Sequence, residues 1–253
     1  MTALRIGVVS VGVLVALLAP ALGGAALAAP EGTLTWGVHI TLAPRWFDPA
    51  EMESLITPFM VMDALHEGMV KAMPDHPMWP SLAESWKASA DGRVYDFTLR
   101  KGVKFHNGDT LTADDVKFSF DRYKGTAAAT LKERVATVET PGPLHVRIRL
   151  KNPWPDFMTF YAAASGAGWI VPKKYVEKVG DEGHKKAPVG AGPYKFVSFT
   201  PGVELVFEAF ELVIPIWELG FLNGHGPRVQ ESGFGLIPGH AYSAPYEDVR
   251  IKK

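Results

Sequence analysis

An α/β fold is what the sequence predicts, and three observations predict it. Short stretches with apolar side chains at every second position recur between turn residues, as half-buried strands require. Between them stand stretches whose apolar residues fall three to four apart, as helices require. Of the 253 residues, 25 are Gly and 20 are Pro, so turns are frequent and elements short. Hydrophobic residues make up 47% and charged residues 21%, which excludes disorder, collagen and coiled coil.

The elements follow in order. Residues 1–28 read as a secretory signal: Arg5, an apolar stretch over 6–19, helix-breaking Pro20, and Ala26-Leu27-Ala28 as a small-x-small cleavage site. The alternative is an uncleaved anchor, because residues 6–29 carry no charge and are long enough to span a membrane. Pro20 and Gly23-Gly24 favour cleavage. Residues 33–40 alternate as a strand, and a loop with Pro44, Trp46 and Pro49 follows. Residues 58–70 have helical spacing, with Phe59, Met62, Ala64, Leu65 and Met69 on one face. Residues 74–80 hold three prolines and read as a loop.

Residues 82–89 and 93–100 flank Asp91-Gly92, a strong hairpin signal. In the second arm Tyr95, Phe97 and Leu99 share one face and Val94, Asp96 and Thr98 the other. A short strand over 103–105 lies between the turns Lys101-Gly102 and Asn107-Gly108-Asp109. Thr112 caps a helix to about Tyr123, with Asp115 in a capping-box-like position and Val116, Phe120 and Tyr123 as its buried stripe. Strands are predicted over 135–139 and 144–150, joined at Pro141-Gly142. Short helices are predicted over 156–164 and 173–179. A second hairpin, 192–199 with 203–210, turns at Thr200-Pro201-Gly202. Residues 212–253 begin apolar, become rich in Gly and Pro, and read as mostly extended chain.

Charge and composition narrow the chemistry. With 26 Lys and Arg against 27 Asp and Glu, the formal net charge is −1. Nothing in that balance would neutralise a phosphate backbone, so nucleic acid is not an expected partner. The cysteine count is zero, which removes disulfides, thiolate zinc sites, iron–sulfur clusters, thiol nucleophiles and a lipid-anchored cysteine. Asp114-Asp115 read as helix-start charges rather than an acid/base pair. His106 and Asp109 flank a tight turn, and the eight histidines are scattered without H-x-x-x-H or H-E-x-x-H spacing. Gly190-Ala191-Gly192 lacks the Lys-Ser/Thr of a phosphate loop and reads as a backbone bend at close packing. Neither a Gly-x-Ser-x-Gly elbow nor a serine with an arguable base occurs, so no catalytic residue is expected.

Three segments together carry a resemblance. They are Pro80-Ser81-Leu82-Ala83-Glu84-Ser85-Trp86, the run from Tyr95-Asp96-Phe97-Thr98-Leu99 through Phe105-His106-Asn107-Gly108, and Thr112-Ala113-Asp114-Asp115-Val116-Lys117-Phe118-Ser119-Phe120. With Pro188-Val189-Gly190-Ala191-Gly192-Pro193-Tyr194 further on, the chain resembles the family 5 extracellular solute-binding proteins, the peptide/nickel/opine-type receptors of ABC importers.

The resemblance implies a periplasmic binding protein of the type II, cluster C-like kind, in which a mixed-sheet α/β lobe with a small subdomain closes on a solute against a second lobe. Here the second lobe is missing. Residues 29–210 correspond to the first lobe and 211–253 to a C-terminal segment returning to it. Residues 203–214 run from one strand-like segment into another with no turn residue, as an internal deletion would leave them. The implied partners are a small peptide or similar solute and the permease subunits in the inner membrane, with no cofactor and no metal. Trp46 and Phe47 lie where the family's early cleft-edge loop would be and are the ligand-binding candidates. Rival readings are a non-binding remnant or scaffold, and an exported hydrolase.

Overall fold

The computed structural model describes residues 35, 37, 42–52, 56–73, 76–162, 166–210, 229–232 and 249–251. The predicted leader, the strand over 33–40 and most of the segment from 211 onward lie outside the described residues. Two 3-10 turns, Pro44–Phe47 and Pro49–Glu51, precede helix α1 (Ile56–Leu65). Strands β1 (Val70–Met73), β2 (His76–Pro80), β3 (Ala83–Ala88) and β4 (Val94–Leu99) come next. Helices α2 (Ala113–Arg122) and α3 (Ala128–Arg134) lead to strands β5 (Val135–Gly142) and β6 (His145–Leu150). Helices α4 (Phe157–Tyr161) and α5 (Lys173–Lys186), strands β7 (Tyr194–Thr200) and β8 (Glu204–Ala209), and the short strands β9 (Val229–Ser232) and β10 (Val249–Ile251) complete the order.

The centre is a four-stranded sheet in the order β3-β4-β6-β5. All its pairs are antiparallel, with Phe97 opposite Val146 and Tyr95 opposite Ile148. The β3–β4 hairpin turns at Asp91-Gly92 as expected; Gly92 adopts φ +66°, open to glycine without a Cβ penalty. Period-two alternation sorts the faces. Tyr95, Phe97 and Leu99 from β4 and Val146, Ile148 and Leu150 from β6 are buried, each stabilising the fold by about 1.5–3 kcal/mol. On the other face Arg147 Nε donates to Asp96 at 2.6 Å and Arg149 Nε to Glu139 at 2.6 Å. Aromatic packing closes the buried face, where Phe157 and Tyr161 of α4 stack at 5.3 Å and Phe157 meets Tyr95 at 4.6 Å.

Helix α2 starts where the sequence places it. The Asp115 Oδ2 accepts from both the backbone N–H and the hydroxyl of Thr112 at 2.8 Å. Its Oδ1 accepts the N–H of Lys173 at 2.9 Å, so one buried carboxylate caps α2 and tethers the start of α5. Val116, Phe120 and Tyr123 form the buried stripe.

Several expectations need correction. Residues 76–80 form strand β2 against β1, not a loop. Prolines are tolerated there because a two-stranded ribbon has open edges that need no N–H. The first helix stops at Leu65; Met69 and Val70 are buried through the following bridge and strand, whose apolar spacing mimics a helical period. The strand over 103–105 is only a bridge between Lys104 and Thr110. Helix α5 passes 179 because Gly180, at φ +73°, bends the chain and lets it resume helical winding to Lys186. Helix α3 had no counterpart in the sequence reading. In the C-terminal segment, β9 and β10 pair antiparallel, Val249 opposite Ser232.

The β7–β8 hairpin is amphipathic. Phe196 pairs with Phe207 and Phe199 with Leu205, and all four pack against the core. Glu208 lies opposite Lys195, and the N–H of Phe210 donates to Pro193 O at 2.8 Å. The ladder carries one register shift, between Phe196 and Ser198, and pairs through Ala209; residues 211–214 of the predicted seam lie outside the described residues.

Candidate functional site

The two ligand-binding candidates sit side by side but in different environments. Pro44 starts the 3-10 turn that carries both. Trp46 is half-buried, with its indole N–H enclosed and, among the described residues, without a hydrogen-bond partner. Phe47 points into the core, meeting Phe196 at 5.9 Å and Phe199 edge-on at 5.0 Å. The structure thus places Trp46 where part of its ring meets solvent and Phe47 where it anchors the turn.

Behind the turn lies a buried polar cluster that sequence reasoning missed. Asp48 is fully buried, and Arg122 at the end of α2 grips it with two parallel bonds of 2.7 and 2.8 Å. Arg122 also donates to Asp181 at 2.7 Å, and Lys124 bridges Asp181 and Glu51 at 3.2 Å each. Lys185 closes the network on Glu51 at 2.7 Å. Burial pushes the Asp48 carboxyl up, but the Arg122 guanidinium outweighs it and holds the pKa below the ordinary value. Asp48 Oδ1 also accepts the N–H of Ala50 at 3.0 Å, capping the second 3-10 turn. That cap, with Pro49 after it, was the one local signal available. The partnership with Arg122 spans 74 residues and leaves no trace in sequence spacing.

Two buried imidazoles complete the cluster. His66 Nε2 lies 3.0 Å from Phe47 O. A carbonyl only accepts, so this nitrogen carries the proton and pins the Trp46–Phe47 turn. His184 of α5 is packed 6.0 Å from the His66 ring and 6.0 Å from Tyr175, and among the described residues neither of its nitrogens has a hydrogen-bond partner. Burial drives the pKa of His66 down to about 3 and that of His184 down to about 4. Both rings are therefore neutral across the ordinary pH range.

The His106 turn and the Gly190-Ala191-Gly192 bend, read separately in the sequence, meet. His106 Nε2 lies 2.8 Å from Gly192 O, and the Gly190 N–H donates to His106 Nδ1 at 3.2 Å. The bend lies against the end of α1, where Gly192 N–H donates to Leu65 O at 3.0 Å. A Cβ on Gly190 would stand 1.9 Å from Leu65 O, and one on Gly192 2.6 Å from Ala64 O. Glycine is needed here for close approach, and the reading as a packing bend rather than a phosphate loop holds.

The polar groups around the turn are engaged with one another. The carboxylates nearest the turn are held in ion pairs and caps. Buried His66 and half-buried His106 each hold a backbone carbonyl. Among the described residues no group of three His, Cys, Asp or Glu could hold a metal ion. The crevice lined by Pro49, Ala50, Arg122, Tyr123, Trp169 and Val171 has no room for a water molecule, so that side of the cluster is sealed.

Comparison with known proteins gives this geometry a context. Residues 78–221 match the bacterial extracellular solute-binding proteins, family 5 Middle. The di/tripeptide-binding protein 2 of Pseudomonas aeruginosa (strain UCBPP-PA14) is 33% identical over 220 residues, covering 76% of this chain and 40% of that protein. The nickel-binding periplasmic protein of Escherichia coli (strain K12) is 31% identical over 174 residues, covering 67% of this chain and 32% of that protein. The crystal structure of NikZ from Campylobacter jejuni in complex with Ni(L-His) is similar with a TM-score of 0.57 and 33% identity, over 66% of this chain and 33% of that one. This chain spans less than half the length of these relatives.

Proposed function

The chain belongs to the bacterial extracellular solute-binding proteins of family 5, and from that premise we propose that it is the periplasmic solute-binding component of an ABC transporter. Its ligand is a small peptide or similar solute, and its partners are the permease subunits of the inner membrane. It binds and does not catalyse. Residues 1–28 are removed on export, and the mature chain starts near Ala29.

The observation that carries the reading is one of proportion: two thirds of this chain match one third of a solved receptor bound to its ligand. On this reading the described body is one wall of a clamshell, with Trp46 at its edge and Phe47 as the anchor beneath. The opposite wall belongs between Phe210 and Pro215, where an internal deletion removed it. A closed site buries roughly 70–90% of a small ligand's surface. One wall leaves much of that surface wet and lacks the other wall's polar anchors. Each loss of about 1.4 kcal/mol weakens binding tenfold, so affinity falls by orders of magnitude.

Calorimetric titration of the exported chain with di- and tripeptides tests this. The expected result is binding weaker than micromolar, further weakened by Trp46→Ala. Micromolar or tighter binding would refute the one-wall reading. N-terminal sequencing that found Met1 intact would refute cleavage.

A further inference from the structure

The His106 ring joins four pieces of chain that are far apart in sequence. Its Nε2 faces Gly192 O at 2.8 Å, and its Nδ1 accepts from the Gly190 N–H at 3.2 Å. A carbonyl cannot donate and a backbone N–H cannot accept, so the proton sits on Nε2 and Nδ1 is bare. The backbone N–H of His106 donates to Gly190 O at 2.8 Å, which adds a third bond to the same bend. The ring edge meets Phe210 at 4.9 Å and 72°. Phe210 is held in turn by its N–H on Pro193 O and by Lys195, whose Nζ lies 4.9 Å from the ring centroid. The bend itself rests on Leu65 and His66, at the end of the helix whose His66 pins the Trp46–Phe47 turn.

We propose that His106 is a positioning residue: its neutral imidazole locks the Gly190–Gly192 bend against the end of α1, beside Phe210, and proton uptake at Nδ1 loosens the bend. The reason is donor counting. A proton on Nδ1 turns the acceptor of the Gly190 N–H into a second donor, so the two N–H groups face each other and the bond is lost. The Nε2–H bond to Gly192 survives, so release is partial and local.

The charged surroundings favour the neutral ring. His66 faces it from the end of α1 and Lys195 from β7, with Glu208 of β8 drawn to Lys195 at 3.8 Å. On its own turn, Asp109 is engaged with the Asn107 amide at 2.8 Å. Burial lowers the ring's pKa from its ordinary value, the bond to Gly192 O opposes this, and Lys195 adds to the lowering. The clamp is therefore closed at neutral pH and opens on acidification. The contacts stand by themselves. Their bearing on transport rests on the reading above, in which the absent wall belongs just beyond Phe210.

Amide hydrogen exchange followed by NMR on the full chain, over a pH series, tests the proposal. The expected result is that protection of the Gly190 amide falls at least tenfold as the His106 ring takes up its proton, while the Phe97 and Ile148 amides of the sheet keep theirs. In His106→Gln the Gly190 amide should exchange at least tenfold faster at neutral pH, with no further pH step. Ring nitrogen shifts of the unaltered protein provide a readout that needs no variant: Nε2 protonated and Nδ1 bare at neutral pH. An Nδ1–H tautomer, or protection that stays level through the ring's titration, would overturn the proposal. Peptide titration on the same samples is scored separately. Micromolar or tighter binding there counts against the one-wall reading, while the exchange result alone decides the clamp.

Discussion

The four-stranded sheet and the polar cluster behind Trp46 are both buried, yet they are held by different physics. The sheet buries Tyr95, Phe97, Leu99, Val146, Ile148 and Leu150, and keeps its charges on the wet face as Asp96–Arg147 and Glu139–Arg149 pairs. The cluster buries the charges themselves, with Asp48 and Arg122 gripping each other and two neutral imidazoles enclosed nearby. Apolar burial is tolerant: it depends on area and on rough fit. Buried polar contacts are not, because each atom left without its partner is expensive. The difference teaches where the molecule is brittle. The sheet gives the wall its body, and the cluster sets the position of the Trp46–Phe47 turn.

The sharpest way to separate the two regions is acid. His66 and His184 have folded-state pKa values lowered to about 3 and about 4 from 6.5. A lowered histidine contributes stability that is fully present above its unfolded pKa and is lost as pH falls toward its folded one. Between pH 6.5 and 4 the unfolded chain takes up protons that the fold refuses, which removes roughly 3 kcal/mol for each ring. Asp48, also lowered, loses its contribution further down the same slope. Urea unfolding at a series of pH values should show stability falling steeply below 6.5. The His66→Gln/His184→Gln double variant should flatten that slope, and an unchanged slope would move the sensitivity elsewhere.

Next in size is the ion pair. Arg122→Leu leaves Asp48 charged and enclosed, and should lower unfolding stability by about 4 kcal/mol. A shift in the urea midpoint no larger than that of a surface variant would show that water reaches Asp48. Gly190→Ala comes third. Its Cβ would stand 1.9 Å from Leu65 O, a backbone atom that cannot step aside, so about 3 kcal/mol is expected by the same measurement. Smallest is Asp96→Asn on the sheet's wet face, where both partners are well exposed. No measurable shift in midpoint is expected there, and a large one would erase the contrast between the regions.

The same contrast explains what could be read from the residues alone. The β3–β4 hairpin, the α2 cap and the β7–β8 hairpin were legible because their signals are local: Asp91-Gly92, Thr112 with Asp115, and the turn residues Thr200-Pro201-Gly202. Strand β2 was not, because its prolines argue for a loop until the open edges of the ribbon are known. Of the candidate site, the sequence pointed to Trp46 and Phe47 and to the Gly190 bend. It did not reveal that Asp48 meets Arg122, that His66 holds Phe47 O, or that His106 meets Gly190 and Gly192. Those contacts join residues 74, 19 and 84 to 86 positions apart, and no periodicity links such distant positions.

The central claim is that the described body is one wall of a solute receptor whose opposite wall is lacking. The most direct test restores that wall by inserting the corresponding segment of the di/tripeptide-binding protein 2 of Pseudomonas aeruginosa between Phe210 and Pro215. Calorimetric titration with di- and tripeptides then compares the two chains. The account predicts that the insertion tightens peptide binding by orders of magnitude and raises the urea midpoint. An insertion that improves neither binding nor stability would contradict it.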